Sequence, residues 1–191
     1  SPKTGSLMHP SGATGTFTLA PTRHGKSWVP RVCVNPGAPI GSYEVYPAAF
    51  FTASLTSKTI SGPGLPQGGH VWNYQYGPAN ACYADSCSAS SPVTKTVSVS
   101  KPAGGGVTRY TFGNRHQADE GRLLQVEEGW TGAGALSTRS LSYADPAAGP
   151  YPYPIGISYQ GRGDGVIASR HSPVRAVNVV QNGVTFSWQV N

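Results

Sequence analysis

The segment from Thr94 to Phe112 constrains the fold more than any other: Thr-Lys-Thr-Val-Ser-Val-Ser, then Lys-Pro-Ala-Gly-Gly-Gly, then Val-Thr-Arg-Tyr-Thr-Phe. Val97 and Val99 alternate with small polar residues before the break. After it, Thr108, Tyr110 and Phe112 alternate with Val107, Arg109 and Thr111. Successive side chains of an extended chain point to opposite faces, so this period of two, built from β-branched and aromatic residues around a Gly/Pro turn, predicts two antiparallel strands. The same pattern returns from Arg175 to Val190, where Asn182-Gly183 is suited to a tight hairpin turn.

Punctuation extends the reading to the rest of the chain. Gly (25) and Pro (17) occupy about twice their usual combined share of the 191 positions, which favours short strands and many turns over helices. The nearest approach to a helical stripe is Ala118–Glu128, but Gly121 and Gly129 frame Arg122-Leu-Leu-Gln-Val-Glu-Glu, which suits a strand equally well. No long helix is expected. Further strands are expected at Leu7 and Phe17–Leu19, around a turn at Pro10-Ser11-Gly12, at Tyr43–Tyr46, at Ala49–Ile60, at Val71–Tyr76, and at Leu123–Val126 paired with Leu136–Tyr143. The length fits one β-rich domain over 1–191, or a slice of a longer array. A subdivision near 92 would separate loop-rich strands (1–91) from long hairpins (92–191).

Charge is sparse and uneven. Residues 1–110 carry eight Lys/Arg against two acids, and the remainder six against six. A basic half can attract polyanions. Yet only Arg23, Lys26 and Arg31, with His24 between them, form a tight group, so nucleic-acid binding is not expected. No apolar run is long enough to span a membrane. The opening, Ser1-Pro-Lys-Thr-Gly-Ser, lacks an initiator Met and a leader-type apolar core, so the chain is expected to be a piece of something longer.

Cys82 and Cys87 are five apart, and Cys33 stands alone. A small disulfide ring suits an oxidising, secreted or cell-envelope setting. Free thiols, or a metal held by Cys82, Cys87 and His70, are the other readings, although the usual two-residue ligand spacing is missing. No metal or cofactor is assigned.

At Val107-Thr-Arg-Tyr-Thr-Phe-Gly-Asn-Arg and Gly121-Arg-Leu-Leu-Gln-Val-Glu-Glu-Gly the chain resembles the RHS or YD-repeat proteins of bacteria. Four further stretches carry the likeness across most of the chain. They are Met8-His-Pro-Ser-Gly-Ala-Thr-Gly-Thr-Phe, Ser61-Gly-Pro-Gly-Leu-Pro with Val71-Trp-Asn-Tyr-Gln-Tyr, Ile155-Gly-Ile-Ser-Tyr-Gln-Gly, and Asn178-Val-Val-Gln-Asn-Gly-Val. The chain departs from the family's Tyr-Asp signature, to which Tyr83-Ala-Asp85 and Tyr143-Ala-Asp145 are the nearest approaches. The resemblance implies an all-β, twisted sheet of antiparallel hairpins, a partial shell or a sandwich. In this reading the chain is a non-enzymatic scaffold, and its partners are the remainder of the parent polypeptide and an encapsulated C-terminal domain. The likeness reaches scaffold and not activity.

Three side-chain sets carry chemistry beside that reading. Trp72, Tyr74 and Tyr76 fall on one face of a strand, and Tyr151 and Tyr153 add two rings nearby. Such a row packs a core or lines a shell, or it stacks glycan rings. Asp119-Glu120 and Glu127-Glu128 are the acids a glycoside hydrolase would use. Neighbours on a strand diverge, however, and these are expected to pair with Arg122 or Arg115. His9 beside Ser11 invites a nucleophile and base, but turn neighbours seldom aim at one another and no acid lies near, so a turn-stabilising polar contact is expected instead. Arg162-Gly163-Asp164 is expected to be only a turn. Pro92, Lys95 and Lys101 are expected to blunt exposed sheet edges.

Overall fold

The computed structural model describes residues 1–31, 47–151 and 172–190. The expected strand at Tyr43–Tyr46, Cys33, Tyr153, the Arg162-Gly163-Asp164 turn and the Ile155 stretch lie outside them.

The described chain is all-β. Ten strands form one antiparallel sheet in strict sequence order: β1 (Lys3–Met8), β2 (Thr14–Gly25), β3 (Ala49–Ser61), β4 (His70–Tyr76), β5 (Thr94–Ser100), β6 (Val107–Gly113), β7 (Leu123–Glu128), β8 (Ser137–Tyr143), β9 (Val174–Gln181) and β10 (Val184–Gln189). Each strand pairs with its chain neighbour, and β1 and β10 are the two edges, so the sheet is not closed into a barrel. Among the described residues a single 3-10 turn, Pro146–Ala148, is capped by the Asp145 carboxylate accepting from the Ala147 N–H. No described helix is long and apolar enough to cross a membrane.

Local chemistry accounts for the hairpins. Asn182 (φ 51°) and Gly183 (φ 77°) supply the two left-handed residues of a tight turn whose twist matches its strands, and Val184 pairs with Gln181 directly across it. The Thr94–Phe112 pattern forms β5 and β6 in the register its alternation demands, with Val97 opposite Tyr110 and Val99 opposite Thr108. Across position 92, Asn73–Tyr76 of β4 pair with Val97–Ser100 of β5.

Register carries one face intact through the sheet. Tyr76, Val97, Tyr110, Val126, Arg139, Val179 and Phe186 are successive cross-strand partners from β4 to β10. Register shifts interrupt the ladders at Thr18/Leu19, Thr111/Phe112 and Ser142/Tyr143, and such bulges bend and twist a sheet.

Little of the described sheet is covered by a second layer; apart from Thr108, Val126 and Glu127 on β6 and β7, the most buried residues gather toward one end. Lys26–Val29 leaves β2 and threads between two loops. Ser27 bridges to Arg115 and Val29 to Tyr83, both in parallel sense. Val29 is 1% exposed and packs with Ala48, Ala81 and Tyr83. Gly25 permits the crossing, because a Cβ there would sit 2.6 Å from Ala81 Cβ and 2.7 Å from the Ala79 carbonyl. The Cys82–Cys87 disulfide (Cα–Cα 5.4 Å) closes the neighbouring loop, and the Trp28 N–H points at Cys87 Sγ (3.1 Å).

Candidate functional site

Two adjoining pockets open on the same face. The first, of about 440 Å³, is lined by Lys58, Trp72, Tyr74, Tyr76, Val97, Val99, Lys101, Thr108, Tyr110 and Phe112. The alternation of β4 puts all three expected aromatic side chains here, half-buried, while Val71, Asn73 and Gln75 face out. Lys58 Nζ sits 4.0 Å from the Trp72 ring centroid, the seat of a cation–π contact. Lys101 reaches Glu128 at 3.8 Å. Tyr151 follows the 3-10 turn and does not line this groove.

The second pocket, of about 460 Å³, lies toward the loop-covered end, where Phe50, Tyr76, Val97 and Phe112 supply its apolar wall. His24 and Lys95 project into it. His24 Nε2 lies 2.7 Å from Ser54 Oγ, and its other ring nitrogen, Nδ1, meets Lys95 Nζ. Lys95 and Ser54 are only 9% and 8% exposed. Burial, then the adjacent Lys95 charge, lowers the His24 pKa, and burial lowers that of Lys95. Tyr76 stands edge-on to His24 (5.5 Å between centroids) and donates its hydroxyl hydrogen to the Leu55 carbonyl (2.9 Å). Glu120 closes the pocket rim, bound to Lys26 at 2.9 Å and facing His116 at 3.4 Å. Burial pushes the Glu120 carboxyl up, but the His116 hydrogen bond and the Lys26 charge outweigh it and hold the pKa below its ordinary value.

Lys95 departs from expectation. It stands on an inner strand with its amine buried and blunts no edge, because it shares the face of Val97 and Val99. That parity was legible in the sequence. Its partner was not, since His24 lies 71 positions away and reaches Lys95 only across β3 and β4.

The acids separate as strand neighbours must. Glu127, buried, accepts from Arg109 Nε (2.5 Å) and a terminal nitrogen (2.9 Å), and Trp130 stacks on that guanidinium 3.3 Å from its carbon. Glu128 turns to the groove face and Lys101. Arg109 and Lys101 therefore stand where Arg122 and Arg115 were expected, because cross-strand register outranks proximity in sequence. Asp119 accepts from the Arg115 backbone N–H (2.9 Å) and serves its turn.

His9 and Ser11 aim at each other more directly than turn neighbours usually do, and the contact is the turn-stabilising one that was expected. Nδ1 lies 2.9 Å from Ser11 Oγ and also accepts from the Ser11 N–H (3.2 Å). The contact is exposed, and the shared nitrogen ties the β1–β2 turn. The basic group disperses: Lys26 is held by Glu120, Arg31 by Asp85 (2.7 Å) beneath Tyr83, and Arg23 is exposed. The sulfurs of Cys82 and Cys87 are bonded to each other and so are not thiolate ligands, while His70 stands against Trp72.

No family model, curated protein or solved structure matches this chain.

Proposed function

We propose that the chain is a non-enzymatic wall segment of an RHS/YD-repeat protein, secreted or associated with the cell envelope, that works by containment. The observation that carries this reading is the sheet order: ten strands, each paired with its chain neighbour, and exposed edges at both ends. Such a sheet extends by adding hairpins. The exposed side chains of β10 support continuation, since Val184, Phe186 and Trp188 are 52%, 60% and 54% exposed on the face that carries the half-buried row. Further strands of the parent chain would cover them, and an encapsulated C-terminal domain would face the lining.

The test is the mass of the native product with terminal sequencing, followed by electron microscopy of the intact particle. A much longer parent forming a hollow body that protects its C-terminal region from protease supports the wall. A native product ending close to Asn191 overturns it.

A second reading rests on the first pocket, where Trp72, Tyr74, Tyr76 and Tyr110 border one open groove between Lys58 and Lys101. Rings in such a row stack on sugars, and the two cations favour an acidic glycan. Tryptophan fluorescence perturbed by an acidic polysaccharide, and unaffected by it in a folded Trp72→Ala variant, supports this reading. An unchanged spectrum removes it.

A further inference from the structure

The second pocket holds a lysine in an unusual setting. Lys95 is 9% exposed, and among the described residues its amine meets no carboxylate; its polar partner is an imidazole nitrogen. Burying an ammonium without a counter-charge is unfavourable, so such a group either takes up an anion or stays a neutral amine. The charged groups nearby decide between these. Glu120, the acid at the rim, is engaged by Lys26 and His116. Lys26 adds positive charge to the same pocket, and His24 becomes a second cation beside Lys95 if it takes a proton. The cations of the pocket favour the neutral amine, the charge of Glu120 is taken up by Lys26 and His116, and the depressed pKa of Lys95 agrees with this.

A neutral amine held by a histidine at the wall of an open pocket is a nucleophile. We propose that Lys95 is a carbonyl-reactive residue, and that the pocket accepts a small aromatic aldehyde, which condenses with the Lys95 Nζ as an imine. The rings of Phe50, Tyr76 and Phe112 form a seat for an aryl group beside the amine. In the step, the Nζ lone pair forms the C–N bond to the carbonyl carbon. The carbonyl oxygen then leaves as water with both amine hydrogens, and no electrons are gained or lost. His24 Nδ1 is placed to take and return the proton that moves in the carbinolamine, while Ser54 fixes the ring through Nε2. The site is independent of the wall reading, because it needs only this sheet.

The intact chain is incubated near neutral pH with 4-hydroxybenzaldehyde and cyanoborohydride, which traps an imine as a stable secondary amine, and the labelled lysines are mapped by peptide mass. The other lysines, Lys3, Lys26, Lys58 and Lys101, serve as internal references. Lys95 is expected to label faster than Lys3 and Lys101, since its lowered pKa leaves more of its amine neutral at a given pH and the aromatic wall holds the aldehyde beside it. Lys95→Met is expected to lose the fast phase with the reference rates unchanged. Labelling of Lys95 no faster than that of Lys3 overturns the proposal. So does protection of Lys95 by 4-hydroxybenzoate without any fast labelling by the aldehyde, which would make the pocket an anion seat. The wild-type comparison stands even if the variant does not fold.

Discussion

Arg109 on β6 grips Glu127 on β7 through two nearly parallel hydrogen bonds, under the cover of Trp130. The two residues are direct cross-strand partners, so the pair fixes the register of the central hairpins as well as neutralising a buried carboxylate. Glu127 is buried and Arg109 only partly so, and removing Arg109 therefore leaves a carboxylate buried and unpaired. Arg109→Ala is expected to lower the unfolding free energy by about 3 kcal/mol, and Arg109→Lys, which keeps a charge but gives up the planar fork, by a smaller but measurable amount. Urea denaturation of both variants checks this; loss below about 1 kcal/mol for Arg109→Ala is the contrary result.

Acid should weaken the fold in two steps. His24 has a folded pKa below its ordinary 6.5, so the unfolded chain takes its proton first, and stability falls as pH drops below that value. Glu120, held below its ordinary 4.5, contributes stability above that value and loses it as pH falls through the lower folded pKa. Urea midpoints measured from neutral pH downward should show both steps. His24→Gln should remove the first and keep the second.

The Cys82–Cys87 ring holds the loop that carries Tyr83 against Val29. By the chain-entropy account, opening so short a ring is expected to lower stability by about 2 kcal/mol. Thermal melts with and without reductant, and of Cys82→Ser/Cys87→Ser, give the comparison. Equal melting temperatures are the contrary outcome.

Gly25 is the point where β2 passes closest to another segment, with no room for a side chain beside Ala81 and the Ala79 carbonyl. Gly25→Ala is expected to lower stability by about 2 kcal/mol through overpacking, detected as an earlier urea midpoint at unchanged slope.

Edge strand β10 offers unpaired backbone groups beside exposed Phe186 and Trp188. The chain alone is therefore expected to associate reversibly, and Phe186→Lys with Trp188→Lys to weaken that association by at least about tenfold. Sedimentation across a concentration series decides it, and a wild type that stays monomeric throughout is the contrary finding.

The sequence by itself determined the strands and their turns. Alternation at Thr94–Phe112 and Asn182-Gly183 between two β-rich runs are local facts of backbone stereochemistry, and they placed β5, β6, β9 and β10 without reference to anything distant. Local alternation also set the shared face of Trp72, Tyr74 and Tyr76. Tertiary structure alone decided what crosses between strands. That Lys95 meets His24, that Glu127 takes Arg109, and that Val29 finds Tyr83 depend on cross-strand register and on loop threading. These contacts are non-local, and nothing in the spacing of residues along one strand encodes which residue of a distant segment lies opposite. The gathering of the described strands into one sheet belongs to the same class: alternation says that a strand has two faces, and only the assembled structure decides what covers each of them.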